Sequence, residues 1–548
     1  MVPAKRCKAL YFFLLLPLIA ACPQTEDEPV SETTSIYPSF PDDFQWGTAV
    51  SQWQTQGDES STGGDPVQSN WSEWMAMGKG REGQKNPRGN GFLTHYAEDF
   101  DRAKALGLDT FRIGVDWSRI EPEQGQIDQG ELEHLVDMLE ALRERELKPV
   151  LTLWHWTVPL WVQNPNPDHV DGYVDLIASE DRSVVDAFEF FVRAVIPAVK
   201  DYVDIYTVLN EPFSMVSAGY VGAVFPPGKF LDIEGGTQFL VNLAFMHGRA
   251  FDVIKELDDV DADNDGRNSF VGLTKTANLF YPVEEGNEAQ IYSAERTSYV
   301  FNDVVMNALV YGNLDVDLDG QYTSADTIPP EGEFEELKNR LEFVGLQYYG
   351  PVAIRDDPLF IEFHPLYGYP LIEVGDYNEA LPHNGMGRQI SASGFRDTIE
   401  LYAQWDIPII LTENGTTTNG FPVEDESEMV IDIPMQQDQA AMYLVEHLWE
   451  VGRAIERGVD IRGYYHWTLA DNYEWVEGYY QRFGAYTVDW EDEALPRTLN
   501  RMGEALRDVV SANGVTKTIW ETYVADRYAT DTTDEGGLTV SEKELFDQ

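Results

Sequence analysis

The stretch IYTVLNEP at residues 205–212 sets the expectation for the architecture. Its first five residues are apolar, aromatic or β-branched, which predicts a short strand buried on both faces, and Asn210 and Glu211 come directly after it. A second stretch, IILTENG at 409–415, places Glu413 after another buried run in the same way. Cleavage of a glycosidic bond needs one glutamate that gives a proton and a second that attacks carbon or activates water.

Eight segments of this kind follow one another along the chain, at 44–50, 110–115, 150–154, 205–209, 270–275, 343–348, 409–412 and 461–465. Helical periodicity separates or follows them at 93–106, 130–146, 184–200, 239–257, 395–404, 437–457 and 499–511. This alternation predicts an α/β fold, a single (β/α)8 TIM barrel with loop insertions. A doubly wound sheet is the alternative, and it fits eight units of this length less well.

The charge of the chain restricts its partners. The formal net charge is −57 and the sequence pI is near 4.2, so nucleic acid and anionic lipid surfaces would be repelled. With 43% hydrophobic residues, the 548-residue chain can nevertheless bury a large core. The composition therefore argues against nucleic acid and anionic lipid as partners and is typical of a protein in a salty or extracellular setting.

The N-terminus resembles a bacterial lipoprotein signal. Residues 1–21 combine early cations with a short apolar stretch, and Cys22 follows small residues at the place where acylation is expected. An ordinary secretory signal is the alternative. We expect an exported cell-envelope lipoprotein, attached to a membrane only through its lipid anchor. Residues 22–39 form a flexible tether, 40–514 the barrel domain and 515–548 an acidic extension.

Polar and aromatic residues are concentrated near the predicted strand ends, where the active site of a TIM barrel forms. They are Arg112, His155, Asn210, Glu211, Tyr349, Glu413 and Trp467. Any one of them could be structural, since a lone strand-end histidine or arginine more often satisfies a buried partner. Seven such groups at one barrel mouth favour a binding or catalytic site.

Nine sequence blocks, in order, resemble those of glycoside hydrolase family 1, the β-glucosidase family, from about residue 40 to 514. They are FQWGTA (44–49), NWSEW (70–74), FRI with WSRI (111–120), LWHW (153–156), NEP (210–212), GLQYY (345–349), TENG (412–415), WTLADNYEW (467–475) and RFG (482–484). The resemblance implies a retaining, exo-acting β-glycosidase, most closely a β-glucosidase, that works by double displacement. It implies no cofactor for catalysis.

The resemblance also implies residue roles. Glu413 is the expected nucleophile and Glu211 the expected acid/base, with Arg112, Asn210 and Tyr349 supporting them. We expect Arg112 to keep Glu413 ionised, while burial and the second carboxylate keep Glu211 protonated. The residues expected to bind the sugar are Gln54, His155, Trp156, Trp467, Glu474 and Trp475.

Glu474 would repel a phosphate, so the expected glycone is not phosphorylated. Departures from the family pattern at Trp53, Gln56 and Gln347 leave open whether glucose, galactose, fucose or mannose is preferred. The expected substrate is a small oligosaccharide or aryl β-glycoside, and the oligomeric state stays open. The alternative function is a non-catalytic carbohydrate-binding or calcium-dependent surface protein on the same barrel.

Two acidic insertions have the spacing of calcium loops. In the first, the oxygen ligands expected at positions 1, 3, 5, 9 and 12 are Asp315, Asp317, Asp319, Thr323 and Asp326. The second, DADNDG at 261–266, has Gly272 at position 12 and so lacks a closing carboxylate. The sequence predicts structural Ca²⁺ in the first loop and weaker binding in the second, with ordinary acidic turns as the alternative.

Overall fold

The computed structural model describes residues 37–170, 172–355, 373–375, 382–419 and 433–524. The predicted signal segment, Cys22 and nearly all of the predicted tether lie outside the described residues, as does the chain after residue 524. None of the helices described has both the length and the apolar character needed to cross a membrane.

Eight parallel strands close into a barrel, which confirms the predicted fold. The strands are β1 Gln45–Ala49, β2 Thr110–Gly114, β3 Lys148–Trp154, β4 Ile205–Asn210, β5 Phe270–Thr276, β6 Phe343–Tyr348, β7 Ile409–Asn414 and β8 Ile461–Trp467. Each strand pairs with the next along the chain, and β8 pairs with β1. The strands read as continuous apolar runs because helices cover their outer faces and side chains fill the lumen.

The longer helices surround this barrel. They are α1 Phe92–Ala105, α2 Gln129–Glu144, α3 Ser183–Val199, α4 Ile233–Leu257, α5 Glu288–Ser298, α6 Val304–Tyr311, α7 Ala392–Tyr402, α8 Ile433–Glu456 and α9 Arg501–Ala512. Side-chain caps fix several of their starts. Asp128 accepts from the backbone N–H of Gly130 and Glu131, and Ser391 from that of Gly394.

Short helical turns and short strands lie in the loops between the barrel elements. The short helical turns are Gln52–Gln56, Asn70–Ala76, Arg81–Gly83, Trp117–Ile120, Pro212–Met215, Val216–Val221, Tyr299–Asp303, Ala403–Trp405, Trp475–Glu477 and Lys517–Tyr523. The short strands are Gln163–Asn164, Val174–Asp175, Phe280–Pro282, Asn313–Leu314, Gly332–Glu333, Val352–Arg355, Glu373–Gly375, Tyr486–Val488 and Arg497–Leu499. They are the loop insertions that the sequence predicted only in outline.

The barrel lumen is filled in layers. The layer nearest the N-terminal ends of the strands is apolar: Val150, Ile205, Phe270, Phe343, Ile410 and Tyr465. A polar layer of buried threonines lies above it, in which Thr152 and Thr207 share a hydrogen bond of 2.7 Å. Active sites in this fold form at the C-terminal end of the barrel, on the side of the lumen away from this apolar layer.

The two ends of the domain meet on its surface. Ser39 pairs with Gly514 in an isolated bridge, and the backbone N–H of Val515 donates to the carbonyl of Pro38. The turn Lys517–Tyr523 buries Trp520, whose ring centroid lies 6.0 Å from that of Trp449. The packed domain thus reaches beyond the predicted limits of 40 and 514.

Candidate active site

A cavity of about 220 Å³ opens at the C-terminal end of the barrel. Three carboxylates, one cation and several aromatic rings line it. The lining residues are Gln54, His155, Trp156, Asn210, Glu211, Ser214, Ser217, Ala218, Phe225, Thr276, Tyr349, Asn384, Met386, Arg388, Glu413, Trp467, Glu474, Trp475 and Phe483. All the predicted catalytic and sugar-binding residues except Arg112 therefore meet at one place, and Arg112 is buried and donates to two of them, Glu413 and Asn210.

Glu413 is held through both of its carboxylate oxygens. Arg112 Nη1 donates to Oε1 across 2.5 Å, and the Tyr349 hydroxyl donates to Oε2 across 2.7 Å. The Tyr349 ring lies just past the end of β6, where strand alternation predicted it to face the lumen. These two hydrogen bonds fix the orientation of the carboxylate and give each of its oxygens one strong donor.

Arg112 is itself fixed in the polar layer. Its Nε donates to Thr152 Oγ1 at 2.9 Å, and its Nη2 donates to Asn210 Oδ1 at 2.6 Å. One guanidinium thus connects β2, β3, β4 and β7. Such a planar fork is suited to holding two acceptors at once.

Glu211 adopts a left-handed backbone conformation, with φ 44° and ψ 63°, at the start of the turn Pro212–Met215. Its carboxylate accepts a 2.8 Å hydrogen bond from Ser214 Oγ, and Ser214 lies 3.1 Å from Thr276 Oγ1. Hydroxyl partners can donate to a carboxylate or accept from a carboxylic acid. Glu211 can therefore change its protonation state without losing its neighbours.

Burial raises the pKa of both catalytic candidates. It raises the pKa of Glu413 to about 7, against the opposing charge of Arg112 and with a further increase from Glu211. It also raises the pKa of Glu211, against hydrogen bonds from Thr276 and Ser214 and the charges of Arg388 and Arg112. The expectation that Arg112 alone would keep Glu413 ionised is thus incomplete, because the desolvation of Glu413 exceeds the effect of the cation.

Asn210 presents its amide to the cavity in a defined orientation. Its Oδ1 accepts from Arg112, from Thr274 Oγ1 at 2.8 Å and from Gln347 Nε2 at 2.9 Å. With the carbonyl oxygen occupied in this way, the Nδ2 group remains as a donor toward a ligand. Gln347 acts here as a partner of Asn210.

The far end of the cavity carries unsatisfied polar groups. Gln54 Nε2 donates to Glu474 Oε2 at 3.0 Å, whereas Gln54 Oε1 and His155 Nδ1 are buried and have no hydrogen-bond partner in the described part of the chain. Burial lowers the pKa of His155 well below its usual value and raises that of Glu474 to about 8. Buried polar atoms without partners are costly, so these atoms are positioned for ligand hydroxyls.

Tryptophans form the cavity walls. Trp475 packs against Trp156 with ring centroids 4.5 Å apart and the ring planes tilted by 41°, and Trp467 packs with Phe483. Trp156 Nε1 donates to the carbonyl of Asn210 at 3.0 Å, so Trp156 offers the cavity its apolar face and not its N–H group. A Cβ on Gly415 would lie 2.1 Å from the Trp467 carbonyl oxygen, which explains glycine after the TEN motif.

Several functional neighbours were not predicted. Thr276 lies two residues after Thr274 on β5, so strand alternation could have placed it in the lumen. Ser214, three residues after Glu211, could have been found from helical spacing. Arg388 lies in the long connection after β6 and matches no motif, so no sequence signal pointed to it.

The first acidic loop gathers only part of its predicted ligand set. Carboxylate oxygens of Asp315, Asp317 and Asp319 lie within 4.8 Å of one another, and Asp326 is not in that group. Instead, Glu331 folds over the loop and accepts from the backbone N–H of Val316 at 3.0 Å and from three further backbone N–H groups. Asp326 was chosen from spacing alone, whereas the actual course of the loop brings Glu331 back to it.

The second acidic loop gains a carboxylate from elsewhere. Asp204, just before β4, lies within the same 4.8 Å limit of Asp261 and Asp263. Burial raises the pKa of Asp204 to about 6, and the charge of Asp263 adds to the increase. Lys148 Nζ lies 3.2 Å from Asp263 and offsets part of this repulsion.

Comparison with known proteins gives a consistent result. The sequence model described as glycosyl hydrolase family 1 matches residues 36–515. The chain is similar to a β-galactosidase of Pyrococcus woesei, at 26% identity over 88% of this chain and 99% of that protein. It is also similar to β-glucosidase 16 of Arabidopsis thaliana, at 29% identity over 83% of this chain and 87% of that protein.

Solved structures agree with these sequence matches. A family 1 β-glucosidase from Thermotoga maritima has a TM-score of 0.72 and 25% identity, covering 88% of this chain and all of that one. A complex of the Thermotoga maritima β-glucosidase with glucoimidazole has a TM-score of 0.70 at 25% identity, covering 87% of this chain and 99% of that one.

Proposed function

The chain belongs to glycosyl hydrolase family 1 and is a β-glycosidase, and from that premise we propose how its residues divide the reaction. Glu413 attacks the anomeric carbon while Glu211 protonates the leaving oxygen, so that the glycosidic bond breaks as a glycosyl–Glu413 ester forms. The supporting observation is the unequal environment of the two carboxylates. Glu413 is fixed by a cation and a phenol, whereas Glu211 has a hydroxyl partner that tolerates either protonation state.

The second step reverses these roles. Once Glu413 is esterified, the cavity holds one negative charge fewer, so Glu211 can lose its proton and act as a base. Glu211 removes a proton from water, the water oxygen bonds to the anomeric carbon, and the bond to Glu413 breaks. Each displacement inverts the carbon, so the product retains the β configuration. Asn210 donates to the 2-hydroxyl, where hydrogen bonds strengthen toward the transition state.

The group of buried polar residues in the cavity supports exo action on a terminal sugar. Gln54, His155 and Glu474 supply donors and acceptors for the glycone hydroxyls, and the indole of Trp467 supplies an apolar face. We propose a glucoside as the main substrate, within the class of small oligosaccharides and aryl β-glycosides. The alternative of a non-catalytic binding barrel is disfavoured, because both carboxylates line the cavity.

A panel of 4-nitrophenyl β-glycosides tests this function. The chain from residue 23 onward should release nitrophenol from the glucoside, and Glu413→Gln should abolish that release. Glu450→Gln is the matched control, because Glu450 is also a buried glutamate with a pKa raised to about 7 but lies outside the cavity. Equal losses in the two variants would indicate a folding defect, and no turnover of any glycoside would contradict the function.

The first acidic loop supports a structural role for Ca²⁺. We propose that Asp315, Asp317 and Asp319 bind the ion. Burial and the repulsion from neighbouring carboxylates raise the pKa of Asp317 to about 6, and the ion would relieve that repulsion. The second group, Asp204 with Asp261 and Asp263, offers a weaker site because Lys148 already balances part of its charge. Neither loop contributes a residue to the cavity.

The N-terminal sequence supports export and anchoring by lipid at Cys22. We propose a cell-envelope lipoprotein whose acylated Cys22 ties the barrel domain to a membrane through the tether. Growth with a radiolabelled fatty acid should label the wild-type chain, and Cys22→Ala should remove the label and release the enzyme from membranes. Equal labelling of both would contradict the proposal.

A further inference from the structure

We propose that Arg388 binds an anionic group, a carboxylate or a sulfate, on the leaving-group part of the glycoside. This makes acidic aglycones the preferred substrate class of the enzyme. The inference rests on the proposed function, since it concerns what the same cavity accepts beside the sugar.

Arg388 has a defined place at the cavity mouth. Among the described lining residues it is the sole arginine or lysine, and its side chain is exposed. The centre of its guanidinium lies 5.8 Å from the ring centroid of Tyr349, the residue that holds Glu413. A long and exposed side chain above Tyr349 can reach a group that extends out of the sugar site.

The loop that carries Arg388 is well braced. Asn384 Oδ1 accepts from the backbone N–H of Met386 at 2.9 Å and of Arg388 at 3.1 Å. The backbone N–H of Gly385 donates to Thr417 Oγ1 at 2.6 Å, which ties this loop to the segment after β7. The position of the Arg388 backbone is therefore set by the catalytic end of the barrel.

The guanidinium of Arg388 lacks a protein anion. It forms no side-chain hydrogen bond or ion pair within the described part of the chain, although the protein has 95 acidic and 38 basic residues. By contrast, Arg81 pairs with Glu477 at 2.6 Å. The donors of Arg388 thus remain available, and a guanidinium fork matches a carboxylate or sulfate in two parallel hydrogen bonds.

The surroundings place the anion on the leaving-group side. The sugar end of the cavity carries Glu474, whose carboxylate would repel an anionic glycone. The turns that follow Glu211 line the cavity with Ser214, Ser217 and Ala218, which bring no negative charge. The charge of Arg388 lowers the pKa of both Glu211 and Glu474, so it is the repulsion by Glu474 that assigns the anion to the leaving-group side.

The negative net charge of the chain makes the positive charge of Arg388 more important for binding an anion. At −57 the protein repels anions at long range, and salt screens that repulsion beyond roughly 10 Å. A local guanidinium offsets the repulsion where the ligand binds. Without it, the cavity would present only carboxylates and neutral groups to an acidic aglycone.

Two matched substrates test the proposal: the β-glucosides of 4-hydroxybenzoate and of its methyl ester. Arg388→Gln should lower the ratio of kcat/KM for the acid to kcat/KM for the ester by about tenfold. A loss of this size corresponds to the lower end of the free energy of one hydrogen bond to a charged group. Arg388→Lys should retain part of the preference. Arg462→Gln is the control, because it removes the same charge from an arginine that pairs with Asp460 outside the cavity, and it should leave the ratio unchanged.

The outcomes separate the possibilities. An unchanged ratio in Arg388→Gln would overturn the proposal, as would an equal fall in the Arg462 control. If Arg388→Gln instead lowers hydrolysis of a nitrophenyl β-glucuronide relative to the β-glucoside, the anion binds at the glycone and the placement is wrong. No turnover of either ester or nitrophenyl glucoside by the unmodified enzyme would refute the proposed function itself.

A pH profile adds a readout that a purely structural role would not move. Because the charge of Arg388 lowers the pKa of Glu211, Arg388→Gln should raise that pKa. The alkaline limb of kcat/KM for the methyl ester should therefore move to higher pH, and it should stay in place in Arg462→Gln. An unmoved limb in both variants would contradict the placement of Arg388 beside Glu211.

Discussion

The guanidinium of Arg112 and the carboxylate of Glu413 form a 2.5 Å ion pair in which the two side chains are 0% and 5% exposed. A pair buried this deeply is weak evidence for stability, since desolvation of both charges opposes their attraction. It is better explained by function: Arg112 offsets part of the cost of a carboxylate that must be ionised to attack carbon.

Arg112→Met should lower kcat/KM roughly a hundredfold, the usual effect of removing one preorganised electrostatic partner. Without the cation, the pKa of Glu413 rises above about 7, so less of the nucleophile is ionised at neutral pH. In the unmodified enzyme the folded state already binds this proton more tightly than the unfolded state, so stability falls as pH rises from about 4.5 through about 7, and in Arg112→Met the fall should continue to higher pH. Urea unfolding at several pH values measures this.

Arg119→Met is the matched control for that variant. Arg119 is also buried and pairs with Glu131 at 3.5 Å, but it lies outside the cavity. We expect it to cost stability without lowering kcat/KM of the folded protein. An equal fall in kcat/KM for both variants would show that packing, and not charge, explains the loss.

Glu211→Gln should affect substrates according to their leaving groups. An alkyl glycoside needs protonation of the leaving oxygen, so its kcat/KM should fall by roughly 10² to 10⁴. 2,4-Dinitrophenolate leaves without protonation, so kcat/KM for a 2,4-dinitrophenyl glycoside should change little. Its kcat should fall, because the second step lacks its base. Equal losses in kcat/KM on both substrates would assign Glu211 another role.

The same variant should change the alkaline limb of the pH profile. In the proposed mechanism Glu211 must be protonated when Glu413 attacks, so ionisation of Glu211 lowers kcat/KM at alkaline pH. Glutamine cannot ionise, so the alkaline limb of kcat/KM for a 4-nitrophenyl glucoside should be lost in Glu211→Gln. A limb that stays in place would assign it to another group.

The barrel could be predicted because eight buried runs recur with helical patterns between them, and strand-end rules placed Glu211, Glu413 and Tyr349. The contacts that depend on loop conformation could not. The spacing predicted Asp326 as a ligand of the first loop, whereas in the structure it is Glu331 that folds over the loop and accepts its backbone N–H groups. No local pattern connected Asp204 with Asp261, which lie 57 positions apart in the sequence. Trp156 was among the residues expected to bind the sugar, and spacing did not indicate that its N–H would donate to the carbonyl of Asn210.

Chelation of calcium should lower the melting temperature without changing initial rates on a small glycoside. An ion present at 100 times its Kd stabilises the folded state by about 2.7 kcal/mol. Asp317→Asn should abolish the effect, whereas Asp326→Asn, outside the carboxylate group, should preserve it. Identical melting curves with chelator and with added Ca²⁺ would show that the loop is an ordinary acidic turn.

Azide rescue of Glu413→Ala tests the central claim most directly. The truncation leaves space at the anomeric carbon, which azide can enter from the face that Glu413 occupies. The account predicts that Glu413→Ala is inactive, that azide restores turnover of a 2,4-dinitrophenyl β-glucoside, and that NMR identifies the product as the α-glucosyl azide. A β-glucosyl azide, or full activity of Glu413→Ala without azide, would contradict Glu413 as the nucleophile.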